Sequence, residues 1–219
     1  GSQTGVITVT GEAGEDDELT VDFTNGSPFG AGFTRLDFEG GANGNDTLII
    51  AGTTTTTDVT AEFDTNNAGS VTVGGQLIEY TGLEPVELGD SNNLILDFDS
   101  ALDETITLTD NNNGTLTIDS AEAGESLTFN APTTSLTITL TGGGADTINI
   151  GALDGAEGDF NIIITQTGDD YVPSPVSMQP VTISLDGSSV LSLSTVVRTC
   201  DDLFLPPMQE PYPFCSEEE

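Results

Sequence analysis

The sequence predicts an all-β protein: a parallel β-helix, or β-solenoid, of roughly three short strands per coil. Three observations carry that expectation. Apolar residues alternate with Thr or Asp, Gly- and Asn-rich turns separate the alternating runs, and the runs recur with a regular period. In Leu94-Ile95-Leu96-Asp97-Phe98-Asp99, positions 94, 96 and 98 form one apolar face. In Ser135–Thr141, Leu and Ile alternate with Thr. Successive side chains of a strand point to opposite faces, so the apolar set faces a core and the Thr set faces solvent.

The turns follow from residue chemistry. Asn111-Asn112-Asn113-Gly114, Ala123-Gly124-Glu125 and Gly142-Gly143-Gly144 lie between runs. Gly and Asn accept the positive φ that sharp corners demand. Strand centres are expected near 95, 107, 117, 128, 138, 149 and 163, and every third centre repeats at about 32 residues. Ile106-Thr107-Leu108-Thr109 recurs letter for letter as Ile138-Thr139-Leu140-Thr141. Coils of that length would stack because one coil cannot bury its own apolar face. An antiparallel β-sandwich also spaces strands this way, and it stays open as the alternative. The two-residue hairpin signals expected of a sandwich are sparse. The predicted core is Leu94, Leu96, Phe98, Ile106, Leu108, Leu116, Ile118, Leu127, Phe129, Leu136, Ile138, Leu140, Ile148, Ile150, Ile162 and Ile164.

One domain is expected over 1–198, less regular over 1–90 and regular over 91–165. Gly5–Thr10, Leu19–Phe23, Thr34–Phe38, Thr47–Ile50, Thr60–Phe63, Val71–Val73 and Leu77–Tyr80 read as early strands. Ser27–Gly30 and Thr53–Thr57 read as loops. Gly168–Pro180 reads as a Pro-rich loop, after which Val181–Leu185 and Val190–Leu193 close the domain. Residues 199–219 form an acidic, Pro-rich tail or cap, which would cover the unpaired backbone at an open end.

Charge limits the partners. There are 37 acidic residues against 2 basic ones, Arg35 and Arg198, and the formal charge is -35. Binding a phosphate backbone needs Lys or Arg to displace counterions, so nucleic acid is not an expected partner. Anionic membrane surfaces are disfavoured for the same reason, and no apolar run is long enough to span a bilayer. Self-repulsion on this scale weakens a compact state at low salt. The chain is therefore expected to work in salty or calcium-rich fluid, or simply to owe its solubility to the charge. Gly1-Ser2 reads as an expression scar, and the chain as a mature product or an excised piece.

Cys200 and Cys215 are the only cysteines and flank Pro206, Pro207, Pro211 and Pro213. In an extracellular setting an even count favours a disulfide, worth about 3 kcal/mol for so short a loop. Two free thiols in a tail is the alternative. Without His the pair makes a poor zinc site.

Two stretches resemble one another. Gly40-Gly41-Ala42-Asn43-Gly44-Asn45-Asp46-Thr47-Leu48 and Gly142-Gly143-Gly144-Ala145-Asp146-Thr147-Ile148 both place glycines before Asp, Thr and an aliphatic residue. This pattern resembles the hemolysin-type (RTX) calcium repeat. The resemblance implies that Asp46 and Asp146 offer oxygens to calcium, which takes six to eight oxygen ligands. Asp169 and Asp170 are further candidate calcium ligands. RTX sites come from tandem nonapeptides, however, whereas these copies are far apart. The same letters also fit a corner whose Asp caps a turn by hydrogen bonding.

A wider resemblance covers residues 34–165. Ile78-Glu79-Tyr80-Thr81-Gly82-Leu83-Glu84-Pro85-Val86, followed by runs ending in Gly-Gly-x-Asp-Thr, is similar to segments of the giant, repetitive adhesins and hemolysin-like surface proteins of aquatic bacteria. It implies a secreted cell-surface scaffold or adhesive role and transfers no catalytic residue.

Enzyme chemistry is not expected. Without His there is no Ser-His-Asp or Cys-His system, and without Lys no Schiff base. Gly168-Asp169-Asp170 resembles one element of β-helix pectin hydrolases, whose carboxylates do acid–base work. The Gly-His-Gly and Arg-Ile-Lys elements of that family are missing. If the coil is 32 residues, Thr107 and Thr109 would stack on Thr139 and Thr141 in a ladder like that of solenoid ice-binding proteins. The β-propensity of Thr accounts for the same residues more simply. The expected role is a non-enzymatic extracellular structural or adhesive module that associates with itself or with cell-surface proteins and glycans. A calcium-dependent glycan- or protein-binding module is the alternative.

Overall fold

The computed structural model describes residues 5–30, 32–64, 67–100, 104–121, 126–142, 146–151, 153, 160–167, 182–185 and 193–199. All regular structure among them is β. In chain order the strands are β1 (Gly5–Thr10), β2 (Glu18–Asp22), β3 (Phe33–Glu39), β4 (Thr47–Ala51), β5 (Val59–Phe63), β6 (Ala68–Val73), β7 (Gln76–Thr81), β8 (Val86–Leu88) and β9 (Asn93–Ser100). They continue as β10 (Thr105–Asp110), β11 (Thr115–Ser120), β12 (Ser126–Asn130), β13 (Ser135–Gly142), β14 (Thr147–Ile150), β15 (Asn161–Thr167), β16 (Thr182–Leu185) and β17 (Leu193–Thr199). Every strand expected between 93 and 167 is present. The last described strand is Leu193–Thr199; of the expected Val190–Leu193 run, residues 190–192 lie outside the described residues. β8 follows Pro85 and is only three residues long, too short for alternation to mark it.

The strands form two mixed sheets. One has nine strands in the order β1-β3-β7-β6-β5-β9-β13-β15-β17, the other eight in the order β16-β14-β10-β11-β12-β8-β4-β2. The chain crosses from one sheet to the other and back, and strands separated by a crossing pair in parallel, as β9 does with β13 and β10 with β14. Two meanders interrupt this pattern. β5, β6 and β7 are antiparallel neighbours in the first sheet, and β10, β11 and β12 in the second.

This arrangement replaces the expected 32-residue coil of three strands. Stacked partners such as Ser135 and Asn93 are 42 residues apart, because β10, β11 and β12 fold back within one sheet instead of turning three corners. Even strand spacing is the same for a corner and for a hairpin, so it could not separate them. One hairpin did carry a signal. Val73 pairs with Gln76 across Gly74-Gly75, whose φ values of 55° and 83° make the two-residue turn with positive φ at both positions.

Both sheets contribute to a single core, and every residue of the predicted core is buried. Parallel register keeps like residues on one face. Val59, Leu94, Leu136 and Ile162 form one inward row, and Ala61, Leu96, Ile138 and Ile164 the next. Each such Leu or Ile contributes roughly 1.5–3 kcal/mol by leaving water. The rings of Phe63 and Phe98 stack at 4.5 Å with planes 4° apart.

Candidate functional site

The Asp residues of the two Gly-Asp motifs occupy equivalent positions, each just before a strand of the eight-stranded sheet, while residues 143–145 lie outside the described residues. Asp46 precedes β4 and is 2% exposed; Asp146 precedes β14 and is 4% exposed. Asp46 Oδ1 accepts the backbone N–H of Asp17 at 2.9 Å, and Asp146 Oδ1 accepts that of Glu104 at 3.0 Å. In return the N–H of Thr47 donates to the Asp17 carbonyl and that of Thr147 to the Glu104 carbonyl. Each Asp-Thr pair therefore clamps the residue that opens the neighbouring strand, β2 in one case and β10 in the other. Gly40 is required by the first corner. A Cβ there would lie 2.6 Å from both the Asp46 Cβ and the Gly82 carbonyl oxygen.

Asp46 and Asp146 thus hold backbone at separate places and are not brought together. Among the described residues no group of three or more Asp, Glu, Cys or His gathers closely enough to hold a metal ion. Asp169, Asp170, Cys200 and Cys215 lie outside the described residues.

Glu104 is itself 3% exposed, and its Oε2 accepts the Ser120 hydroxyl at 2.6 Å. A second polar column joins the corners that lead into the nine-stranded sheet. Asp58 Oδ1 accepts the side-chain N–H groups of Asn93 at 2.8 Å and Asn92 at 3.1 Å. Ser135 donates to Asn93 Oδ1, and Thr134 to Asn92 Oδ1. The hydrogen bonds from Asn93 and Asn92 hold the Asp58 carboxyl below its usual value. Asp22 is lowered in the same way by the side chain and N–H of Thr24.

On the outer face of the nine-stranded sheet, Arg35 bridges Asp37, at 2.6 Å from Nε, and Glu79, at 3.0 Å. The hydrogen bond to Asp37 is the chief reason its guanidinium is held still more firmly protonated. The pairing relieves like charge where Asp37 and Glu79 sit in register.

The Thr ladder that a 32-residue coil would make does not form. Thr107 and Thr109 belong to β10 in one sheet, Thr139 and Thr141 to β13 in the other. Thr107 instead neighbours Asn149 and Asp119, and Thr117 meets Thr128 at 3.0 Å between hydroxyls.

One concave feature had no counterpart in the sequence reading. Where β2 and β4 end, the turn 24–27, the Thr53–Thr57 loop and the β6–β7 hairpin enclose an open groove of about 370 Å³. Its lining includes Phe23, Ser27, Thr53, Thr54 and Gln76 and no charged side chain. The Thr run reads as a loop, and it gives no sign that residues from two distant segments, 23–27 and 73–76, converge on it.

No family model matches the chain, and no curated protein or solved structure matches it either. Among the described residues no helix is long and apolar enough to cross a membrane.

Proposed function

We propose that this protein is a non-enzymatic extracellular structural or adhesive module, a flattened β-solenoid that assembles through its ends. The repeated crossing between two sheets, with parallel pairing after each crossing, supports the solenoid reading. The observation that carries the assembly reading is the end formed by β1 and β2. Among the described residues each is the outermost strand of its sheet and has a hydrogen-bonded strand on one side only. The turn 11–17 joins them, so both unpaired edges lie at one end of the molecule.

The edge of β1 has a definite polarity. Gly11 N–H donates to the Glu39 carbonyl on β3. Backbone groups alternate sides along a strand, so Thr8 and Thr10 direct theirs to the open side. Exposed edges of this kind are templates for another strand. A head-to-tail contact that does not close on itself yields a filament. The high negative charge opposes such a contact at low salt, which gives extracellular salt or calcium a role in permitting it.

Negative-stain electron microscopy with and without millimolar calcium tests this. Filaments that vanish when residues 1–10 are removed support end-to-end assembly. Dispersed rods in both conditions end that reading and leave a spacer or calcium-dependent binding module. Unchanged filaments after truncation place the junction elsewhere.

A further inference from the structure

We infer that the groove between the ends of β2 and β4 and the β6–β7 hairpin binds a neutral saccharide. Three observations point there, and the first is charge. In a chain with 37 acidic residues, the groove is lined only by uncharged residues. The field of so acidic a protein repels anions, and the Asp22 carboxylate beside lining Thr24 is engaged by that residue's N–H at 2.8 Å.

The second is polar chemistry. Ser27, Thr54 and Thr57 present hydroxyls, each both donor and acceptor, and Gln76 presents an amide. Sugar hydroxyls, each donor and acceptor, ask for that mixture. The Phe23 ring gives the groove an apolar wall, held edge-to-face against Phe29 with centroids 6.4 Å apart. The apolar face of a pyranose ring packs on such a surface. A volume of about 370 Å³ lies at the small end of ligand pockets and suits one or two sugar rings.

The third is an unused group. Thr53 Oγ1 is shielded from solvent and has no hydrogen-bond partner among the described residues. Buried polar groups are normally paired, and Thr53 lines the groove. Rotation of χ1 to another staggered well would turn the hydroxyl toward a bound sugar.

The groove is also preformed. Ser27 donates to Gln76 Oε1 at 3.0 Å, and Thr54 Oγ1 lies 3.0 Å from Thr57 Oγ1. Gly52, at φ 71°, has no room for a side chain, because a Cβ would collide with the backbone nitrogen of Thr24. Preformed walls lower the ordering cost of binding.

This inference deepens the adhesive side of the proposed function but does not need its filaments. A chain that never assembles can still bind sugar, and one that assembles can fail to. The test is a ¹H–¹⁵N NMR titration of the whole chain with maltose, cellobiose, lactose and chitobiose, with glucuronate as the charged comparator. At least one neutral disaccharide is expected to shift the amides of Thr24, Thr54 and Gln76, with a Kd of about 1 mM, while glucuronate shifts none. Gln76→Ala and Phe23→Leu should each weaken that binding roughly tenfold in chains whose circular dichroism is unchanged. Thr53→Val should weaken binding while leaving the melting temperature equal or higher. If none of the four sugars shifts these amides, or if Gln76→Ala and Phe23→Leu bind as the wild type does, the inference is wrong. A Thr53→Val chain that melts lower with sugar binding intact overturns the role given to Thr53.

Discussion

The carboxylate of Asp146 accepts the backbone N–H of Glu104, 42 residues earlier, at 3.0 Å. Asp46 does the same for Asp17, 29 residues earlier. A side chain that resembles a calcium ligand in the sequence is thus a buried clamp between neighbouring strands, and its removal has a calculable effect.

Asp146→Ala leaves the Glu104 N–H buried without an acceptor. The expected loss of stability is about 1–3 kcal/mol, read as a lower urea midpoint with an unchanged slope. Asp146→Asn keeps an acceptor oxygen and should lose less. Equal losses for the two variants would mean that the negative charge matters and the hydrogen bond does not.

Phe98 sits at the centre of the core, stacked on Phe63 and in register with Leu140. Phe98→Ala should cost about 3–5 kcal/mol. A loss under about 1 kcal/mol would show that neighbouring side chains move to close the cavity.

On β1, Thr8→Pro removes an N–H that faces the open edge while sparing those that face β3. Pro is tolerated on an edge strand. The variant should keep its circular dichroism spectrum and its thermal midpoint, yet form no filaments under conditions where the wild type does. Normal filament formation would remove β1 from the junction.

Asp58 gives a pH dependence with a defined sign. Its folded pKa is depressed from 3.8 by Asn93 and Asn92. The stability it contributes is therefore fully present above the unfolded value and is lost as pH falls through the folded one. Protonating the other carboxylates relieves repulsion at the same time, so the useful quantity is the gap between wild type and Asp58→Ala. That gap should be constant from neutral pH to about 5 and shrink below about 4. A gap that does not change on acidification would show that the hydrogen bonds from Asn92 and Asn93 do not favour the charged form.

The sequence by itself determined the all-β class, most strand positions and the side of each strand that faces the core. Alternation acts within one strand: Leu94, Leu96 and Phe98 must share a face whatever lies beside them. It also determined which corners carry Asp, because the Gly-Asp-Thr letters mark the turn locally. Only the tertiary structure decided which strands are neighbours. Ile106–Leu108 and Ile138–Leu140 carry the same letters but lie in different sheets, since a chain segment of similar length can cross between sheets or fold back as a hairpin. That choice fixed the rest. It put Asp17 beside Asp46, it separated the two Thr pairs, and it drew Phe23, Thr53 and Gln76 into one groove although each reads as ordinary turn or strand in its own segment.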